Sequence, residues 1–385
     1  MEGHAAAAVR LAHADSSAAV DLSQLAAFGR EEREDEEAGR LAPGATRSQA
    51  AGNRIRDEEP DPVRTCFERD RDRILHSSAF RRLSGKTQVF VFPDDHQRTR
   101  LSHALEVAQV AVGVASACRL NVALAEAIAL GHDCGHGPGG HASEDALSPF
   151  LAEGYDHAVW GADVVLTPLN LCRETLDGVR NHSWSRPAPT TPEGEVVSWA
   201  DRIAYVCHDF EDAVSAGIVT EPMLPDIVAD RCGSRRGEQL GAFIGGMAHA
   251  ATTTGQVGMV EPLAEALAAF RAFNYERIYL RPASVAQGAA VVRVLRALVE
   301  HFADRPNLLP FFGDPDGGGG EPSLVGRSGL VGRPSLAGLP AGSDEALRAA
   351  VTYVGGMTDR FAFDAAITHL GWHRDALPGG VDTLR

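Results

Sequence analysis

The chain has 385 residues, 44% of them hydrophobic, enough for two or three domains or one large helical one. Its 36 Lys and Arg stand against 52 Asp and Glu, a net charge of −16, which excludes coating nucleic acid or an anionic membrane by bulk charge and leaves room for a local basic pocket. No run approaches the roughly 18 uncharged apolar residues of a membrane span, no basic-then-apolar leader opens the chain, and the six cysteines form no CxxC pair. The expectation is a cytoplasmic protein with reduced thiols and no membrane partner.

Residues 1–60 combine an Ala-rich start, the acidic run Glu31 to Glu37 and the loop-like Ala42-Pro43-Gly44, and read as a disordered or weakly helical extension. From there apolar residues recur three and four apart almost everywhere, so the expected fold class is all-α. The candidate helices are Arg100 to Cys118, Val122 to Gly131, Ser143 to Glu153, His157 to Leu166, Leu171 to Asn181, Val196 to Ala216, Pro262 to Phe273, Ser284 to Phe302 and Glu345 to Phe361. Thr87 to Pro93 reads as a short strand or hairpin arm. The domains expected are a core over 61–255 and a C-terminal helical region over 256–385, interrupted by a flexible Gly-rich insert at 313–343. Arginine almost replaces lysine, and Lys86 is the only lysine, marking a position where a compact ammonium matters.

The densest chemistry is Gly131-His132-Asp133-Cys134-Gly135-His136-Gly137-Pro138-Gly139-Gly140-His141, directly after an apolar helix. Its glycines let the backbone turn tightly and approach a ligand, and the helix holds His132 and Asp133 at its C-terminal end. Imidazole with carboxylate suits a divalent ion such as Mn, Fe, Co or Zn, with positions left open for water and phosphate. Further ligands come from His103 on the helix upstream and Asp201 downstream, where Tyr205, Asp209 and Asp212 continue one polar face opposite Ile203, Val206 and Phe210. His4, His13, His182, His249 and His301 read as surface or satisfied core histidines and stay outside this site.

The order His103, His132-Asp133, Asp201 resembles the H…HD…D ligand set of HD-domain phosphohydrolases. Asp70-Arg71-Asp72-Arg73-Ile74, Phe80-Arg81-Arg82-Leu83, Lys86-Thr87-Gln88-Val89, Thr99 to His103, Asn170-Leu171 with Glu174-Thr175-Leu176, Asp201 to Tyr205 with His208-Asp209, and Gly356-Met357-Thr358-Asp359-Arg360 are similar, more narrowly, to the deoxyguanosine triphosphate triphosphohydrolase family. The resemblance covers about Asp70 to Phe361. It implies an HD phosphohydrolase core and hydrolysis of a deoxynucleoside triphosphate, dGTP or more broadly dNTPs, at the α-phosphorus, with release of deoxynucleoside and triphosphate. It also implies a divalent metal cofactor (Mn, Mg, Fe, Co or Zn) and homo-oligomeric assembly.

By the same resemblance His141 is the proton donor, Glu144 the carboxylate that orients it, His136 a phosphate contact, and His157 a phosphate ligand or proton relay. Arg100 would pair with phosphate oxygens, Gln88, Tyr205 and Asp209 would line the sugar, and Tyr353 would pack on sugar or base. The family's loop usually continues with two prolines and a Phe before Gly-His, whereas here it reads Gly137-Pro138-Gly139-Gly140. Lys86 with Arg64, Arg69, Arg71, Arg73, Arg81 and Arg82 is either a solvated charged face or, if clustered, a site for a nucleotide or single-stranded DNA effector. Two further readings stay open: an HD phosphohydrolase for another nucleotide phosphoester, and a non-catalytic nucleotide- or DNA-sensing module.

Overall fold

The three-and-four spacing of apolar residues does what it implies: a computed structural model, describing residues 3–6, 9–12, 29–310 and 339–379, is helical almost throughout, and the fold class is all-α. The only strands among the described residues are β1 (Gly3–Ala6) and β2 (Val9–Ala12), an antiparallel hairpin with Gly3 opposite Ala12. Helix α1 (Arg30–Arg40) carries the acidic run and buries no residue. Helix α2 (Cys66–His76) starts on a capping box in which Glu68 accepts the Thr65 N–H at 2.9 Å, and the short α3 (Ser78–Arg82) follows. Helices α4 (Arg100–Ala117) and α5 (Val122–Gly131) come next, with Asn121 capping α5 by accepting the Leu124 N–H at 3.1 Å. Helix α6 (Ala142–Leu147), α7 (His157–Trp160, running on into a π-helical turn to Val165) and α8 (Arg173–Asn181) lead to the long α9 (Pro192–Ser215). Helices α10 (Asp226–Cys232), α11 (Arg236–Thr254) and α12 (Glu261–Asn274) complete a first core, with a π-helical turn Tyr275–Tyr279 after them. Helices α13 (Pro282–Asp304), α14 (Asp344–Gly355) and α15 (Asp359–Leu370) build a second.

Helix α5 is the axis of the first core, apolar all round and sheathed by α2, α4, α8 and α9. In the second core α13 packs Val291, Val294, Leu295, Leu298, Val299 and Phe302 against α6, α14 and α15. Contrary to the expectation that no segment comes close, α13 is long and apolar enough to cross a membrane; here its buried face belongs to that core.

The two cores meet at the loop after α5. The Lys86 ammonium, buried, donates to the carbonyls of His136 and Gly355, the latter at 3.0 Å. Asp359, at the start of α15, accepts the N–H of Thr87 at 3.0 Å, the Thr87 hydroxyl, and the N–H of Gly139 at 2.8 Å. A compact ammonium on a long stem fits between two carbonyls where a planar guanidinium does not, which accounts for a lysine in a chain otherwise built with arginine.

Several expected elements differ. The helix expected over Glu345 to Phe361 is two, broken at Gly355-Gly356 and restarted by Thr358, whose hydroxyl accepts the Phe361 N–H. The strand expected at Thr87 to Pro93 is one isolated bridge, Thr87 to Thr99. Helix α6 stops at Leu147 because Pro149 turns the chain into a 3-10 turn. Helices α2 and α11 escaped the periodicity, α2 through its charges and α11 through its glycines. The Gly-rich insert expected at 313–343 lies, apart from 339–343, outside the described residues, as do 1–2, 7–8 and 13–28 of the expected extension.

Residues 29–60, expected to be weakly ordered, are built into the fold. Arg54 is buried and donates to Asp70 Oδ1 and to the Asn170 carbonyl, both at 2.6 Å, and to the Cys66 carbonyl at 3.0 Å. Asp70, fully buried, also accepts the Cys172 N–H at 2.8 Å and the Thr175 hydroxyl at 2.7 Å. Arg54→Met leaves that carboxylate without its cation, and urea unfolding is expected to lose about 3–5 kcal/mol; a loss under about 1 kcal/mol, the size for a surface pair, would contradict this role.

Candidate metal centre

The segments that carry His103, His132-Asp133, His157, His182 and Asp201 meet at the C-terminal end of α5. His132 follows that helix directly and its Nδ1 lies 2.6 Å from the Ala129 carbonyl. A carbonyl only accepts, so the proton is on Nδ1 and the Nε2 lone pair faces inward. His182 repeats the arrangement at the end of α8, with Nδ1 2.7 Å from the Val179 carbonyl. His157, first residue of α7, gives its Nδ1–H to Glu144 Oε1 at 2.5 Å and its backbone N–H to the same oxygen at 3.0 Å. Occupation of the outer nitrogen by a carbonyl or carboxylate is the usual arrangement of a metal-ligating histidine.

The inner atoms crowd together. His103 Nε2 on α4 is 3.1 Å from Asp201 Oδ1 on α9. His132 Nε2 lies 3.5 Å from Asp133 Oδ2 and 3.7 Å from Asp201 Oδ1, and is buried without a hydrogen bond. The ligand atoms of His103, His132 and Asp133 fall within 4.8 Å of one another, as do those of His132, His182 and Asp201. An orphaned imidazole nitrogen between two carboxylates is costly in a metal-free core and fits a divalent ion. Burial opposes ionisation of Asp133 and Asp201. Even so, the Arg100 guanidinium and neighbouring imidazoles hold Asp133 well below the usual carboxylate range, and His103 holds Asp201 down.

The loop beyond has no spare room. A Cβ on Gly135 would sit 2.7 Å from the Gly161 Cα, so only glycine lets the loop lie against α7. At Gly140, φ is +64° and a Cβ would come 2.8 Å from Arg100 Nη2. His136 stacks on His157 at 3.7 Å, and His141, the one exposed imidazole of this cluster, stands 4.9 Å from His136 and 5.7 Å from His157.

Two expected placements change. Glu144 bonds His157 and not His141: His141 occupies the N-cap position of α6, while the carboxylate one turn later reaches the start of α7. His182, left out by the sequence reading, is buried in the centre, its Nε2 3.2 Å from His157 Nε2. Tyr353 lies against Phe302, ring centroids 5.0 Å apart, in the second core.

Arg100, buried, gives Nη1 to Asp133 Oδ2 at 2.7 Å and keeps Nε and Nη2 without a hydrogen bond. Gln88 has a buried Oε1 without a partner. Tyr205 accepts from Arg271 Nε at 3.0 Å. Asp209 accepts the Tyr279 hydroxyl on Oδ2, leaves Oδ1 unpartnered, and is pushed up to about 7 by burial. Tyr279, in the π-helical turn after α12, was not foreseen. Of the arginines considered for an effector face, Arg64 pairs with Asp61 and Asp72, Arg71 with Asp72 and Glu126, and Arg69 and Arg73 with Glu58, whereas Arg81 donates to the His76 carbonyl at 2.7 Å and Arg82 to the Ser78 hydroxyl at 3.2 Å.

Residues 100–206, which span these groups from Arg100 to Asp201, match the HD domain family. The deoxyguanosinetriphosphate triphosphohydrolase-like protein of Caldanaerobacter subterraneus subsp. tengcongensis is 37% identical over 84% of this chain and 90% of its own. Like-named proteins of Clostridium perfringens strain 13 and Syntrophus aciditrophicus are 39% and 33% identical, over 73% and 87% of this chain and 86% and 95% of theirs. The chain belongs to the deoxyguanosinetriphosphate triphosphohydrolase-like family of HD-domain proteins.

Two outcomes are expected of the centre. Mn²⁺ at 100 times its Kd raises stability by about 2.7 kcal/mol in thermal melts, and EDTA or Asp201→Ala abolishes the gain; an equal gain in the variant would place the ion elsewhere. Because burial lowers and Glu144 raises the His157 pKa, with a net rise, Glu144→Gln lowers it. Imidazole NMR titration of the EDTA-treated protein reads this, and an unchanged midpoint would refute the pairing.

Proposed function

We propose that the protein hydrolyses deoxynucleoside triphosphates at the α-phosphorus, releasing deoxynucleoside and inorganic triphosphate, with a divalent ion held by His103, His132, Asp133 and Asp201. The observation that carries this reading is the convergence of those four side chains around the orphaned His132 Nε2, beside imidazoles and a buried guanidinium with free donors. When bound, the ion polarises a phosphoryl oxygen and lowers the pKa of a water.

The chain's own groups divide the remaining work. Arg100, with Nε and Nη2 unspent, offers donors to phosphate oxygens, and His136, whose Nε2 stands 3.1 Å from Asp133 Oδ1, keeps Nδ1 for a contact with them. The departing 5′ oxygen needs a proton; burial and the Arg100 guanidinium push the His141 imidazole down to about 4, and the charge of a bound phosphate raises it again, so that His141 carries the proton to that oxygen. Glu144 acts one residue further in, holding the Nδ1 proton of His157. On the sugar side Asp209, fixed by Tyr279, keeps Oδ1 for a deoxyribose hydroxyl, with Tyr205 one helical turn away on the same face. Gln88 lends a further acceptor.

The purified protein, given each of the four deoxynucleoside triphosphates with Mn²⁺, is expected to yield nucleoside and triphosphate on ion exchange. Asp133→Ala abolishes the products, and His141→Ala lowers kcat roughly 100- to 10,000-fold. Monophosphate or orthophosphate products would instead assign another phosphoester to the site, and no turnover with metal binding intact would assign a sensing module.

A further inference from the structure

Away from the metal centre, two thiols are packed against each other beneath a surface turn. Cys66 opens α2, Cys172 immediately precedes α8, and both are buried. Their side chains share a hydrogen bond. A Cβ at Gly52 would lie 2.4 Å from Cys172 Sγ and 3.3 Å from Cys66 Sγ, so both sulfurs surround one point and only glycine fits above them. The two thiols are not equivalent. The hydrogen bond with Cys172 holds the Cys66 thiol below the ordinary thiol range, with burial and Asp70 opposing and the Arg54 guanidinium assisting. Cys66 is also the first residue of an 11-residue helix, where the dipole favours an anion. The same bond raises the Cys172 thiol, and burial raises it further. A cysteine inclined to the thiolate beside one that keeps its proton is the arrangement of an attacking and a resolving thiol. The covering turn lies at the surface. Gln49 and Ala50 are exposed, and Ala50 holds a left-handed φ of +48°, unfavourable for a residue with a Cβ, so the turn opens locally at low free-energy cost.

We propose that Cys66 and Cys172 are a peroxide-reactive pair that closes a reversible disulfide across the first core. The Cys66 thiolate attacks one oxygen of a hydroperoxide; the O–O bond breaks, the other oxygen leaves with a proton as water or an alcohol, and Cys66 becomes a sulfenic acid. The Cys172 sulfur then displaces that hydroxyl group, its own proton departing with it as water, and the S–S bond forms. The two sulfurs together lose two electrons, which the peroxide gains, and a dithiol reductant reverses the step. The bond ties the start of α2 to the start of α8, two helices that both pack on α5. It closes a loop of roughly 100 residues, a length at which a cross-link strongly restricts the unfolded chain, so the oxidised form is the more stable one. The pair is independent of the reaction assigned above.

The test starts from the full wild-type chain, reduced, freed of reductant and diluted so that molecules stay apart. It is given a small excess of hydrogen peroxide, stopped with catalase, denatured and alkylated. The expected result by mass spectrometry is a disulfide joining the Cys66 and Cys172 peptides of one chain, removed by dithiothreitol. The melting temperature of the oxidised protein is expected to exceed that of the reduced protein by about 5 °C. Cys172→Ser is expected to stop at the sulfenic acid of Cys66, which dimedone labels, whereas in Cys66→Ser the Cys172 thiol stays unlabelled. Recovery of Cys66 and Cys172 as free thiols after peroxide has oxidised the half-buried Cys118 overturns the proposal, and that outcome needs no variant to fold. A disulfide that pairs either residue with another cysteine overturns it as well, and dimedone on Cys172 in Cys66→Ser overturns the choice of attacking thiol.

Discussion

The centre depends on where three protons sit. His132, His157 and His182 each have the outer ring nitrogen engaged by an acceptor that cannot donate, two by the last carbonyls of helices and one by Glu144. The inner nitrogens are thereby turned toward Asp133 and Asp201. Carbonyls at helix C-termini are unsatisfied by construction, so placing a histidine just beyond α5 and α8 satisfies a carbonyl and aims an imidazole at once. A pocket able to hold a metal ion arises from the way two helices end.

That geometry is useful only if the loop between His132 and His141 stays in place, and its composition does little to hold it. The stretch Gly137-Pro138-Gly139-Gly140 has almost no side chain to pack. Its rigidity comes from outside, through Lys86 on the His136 carbonyl and Asp359 on the Gly139 N–H. Asp359 begins α15 and Gly355 ends α14, so the second core, which supplies none of the inner metal-facing atoms, fixes the loop that does. This explains how a chain can replace bulky loop residues with glycine and keep a formed site.

Much of this is readable in the sequence because it is local. The helical period follows from side-chain spacing, and the ordered His103, His132-Asp133, Asp201 set stands out since adjacent His and Asp after an apolar helix is hard to place otherwise. What escaped is long-range. His182 looked like an isolated histidine, although it follows α8 as His132 follows α5, and that parallel was the available signal. The partner of Glu144 lies 13 residues ahead and depends on how α6 meets α7. Arg54 sits in a polar, acid-rich stretch whose composition says nothing of Asp70 waiting in the core. Tyr279 reaches Asp209 from a π-helical turn, which no apolar period announces.

The most direct test of the account is anomalous diffraction from crystals of the protein grown with Mn²⁺, recorded on both sides of the manganese absorption edge so that the manganese signal separates from that of the sulfurs. A peak is predicted at bonding distance, about 2.0–2.3 Å, from His103, His132, Asp133 and Asp201 together. A peak confined to surface carboxylates, with the orphaned nitrogen of His132 turned to water or to a protein acceptor, would contradict the claim that this cluster is a metal centre.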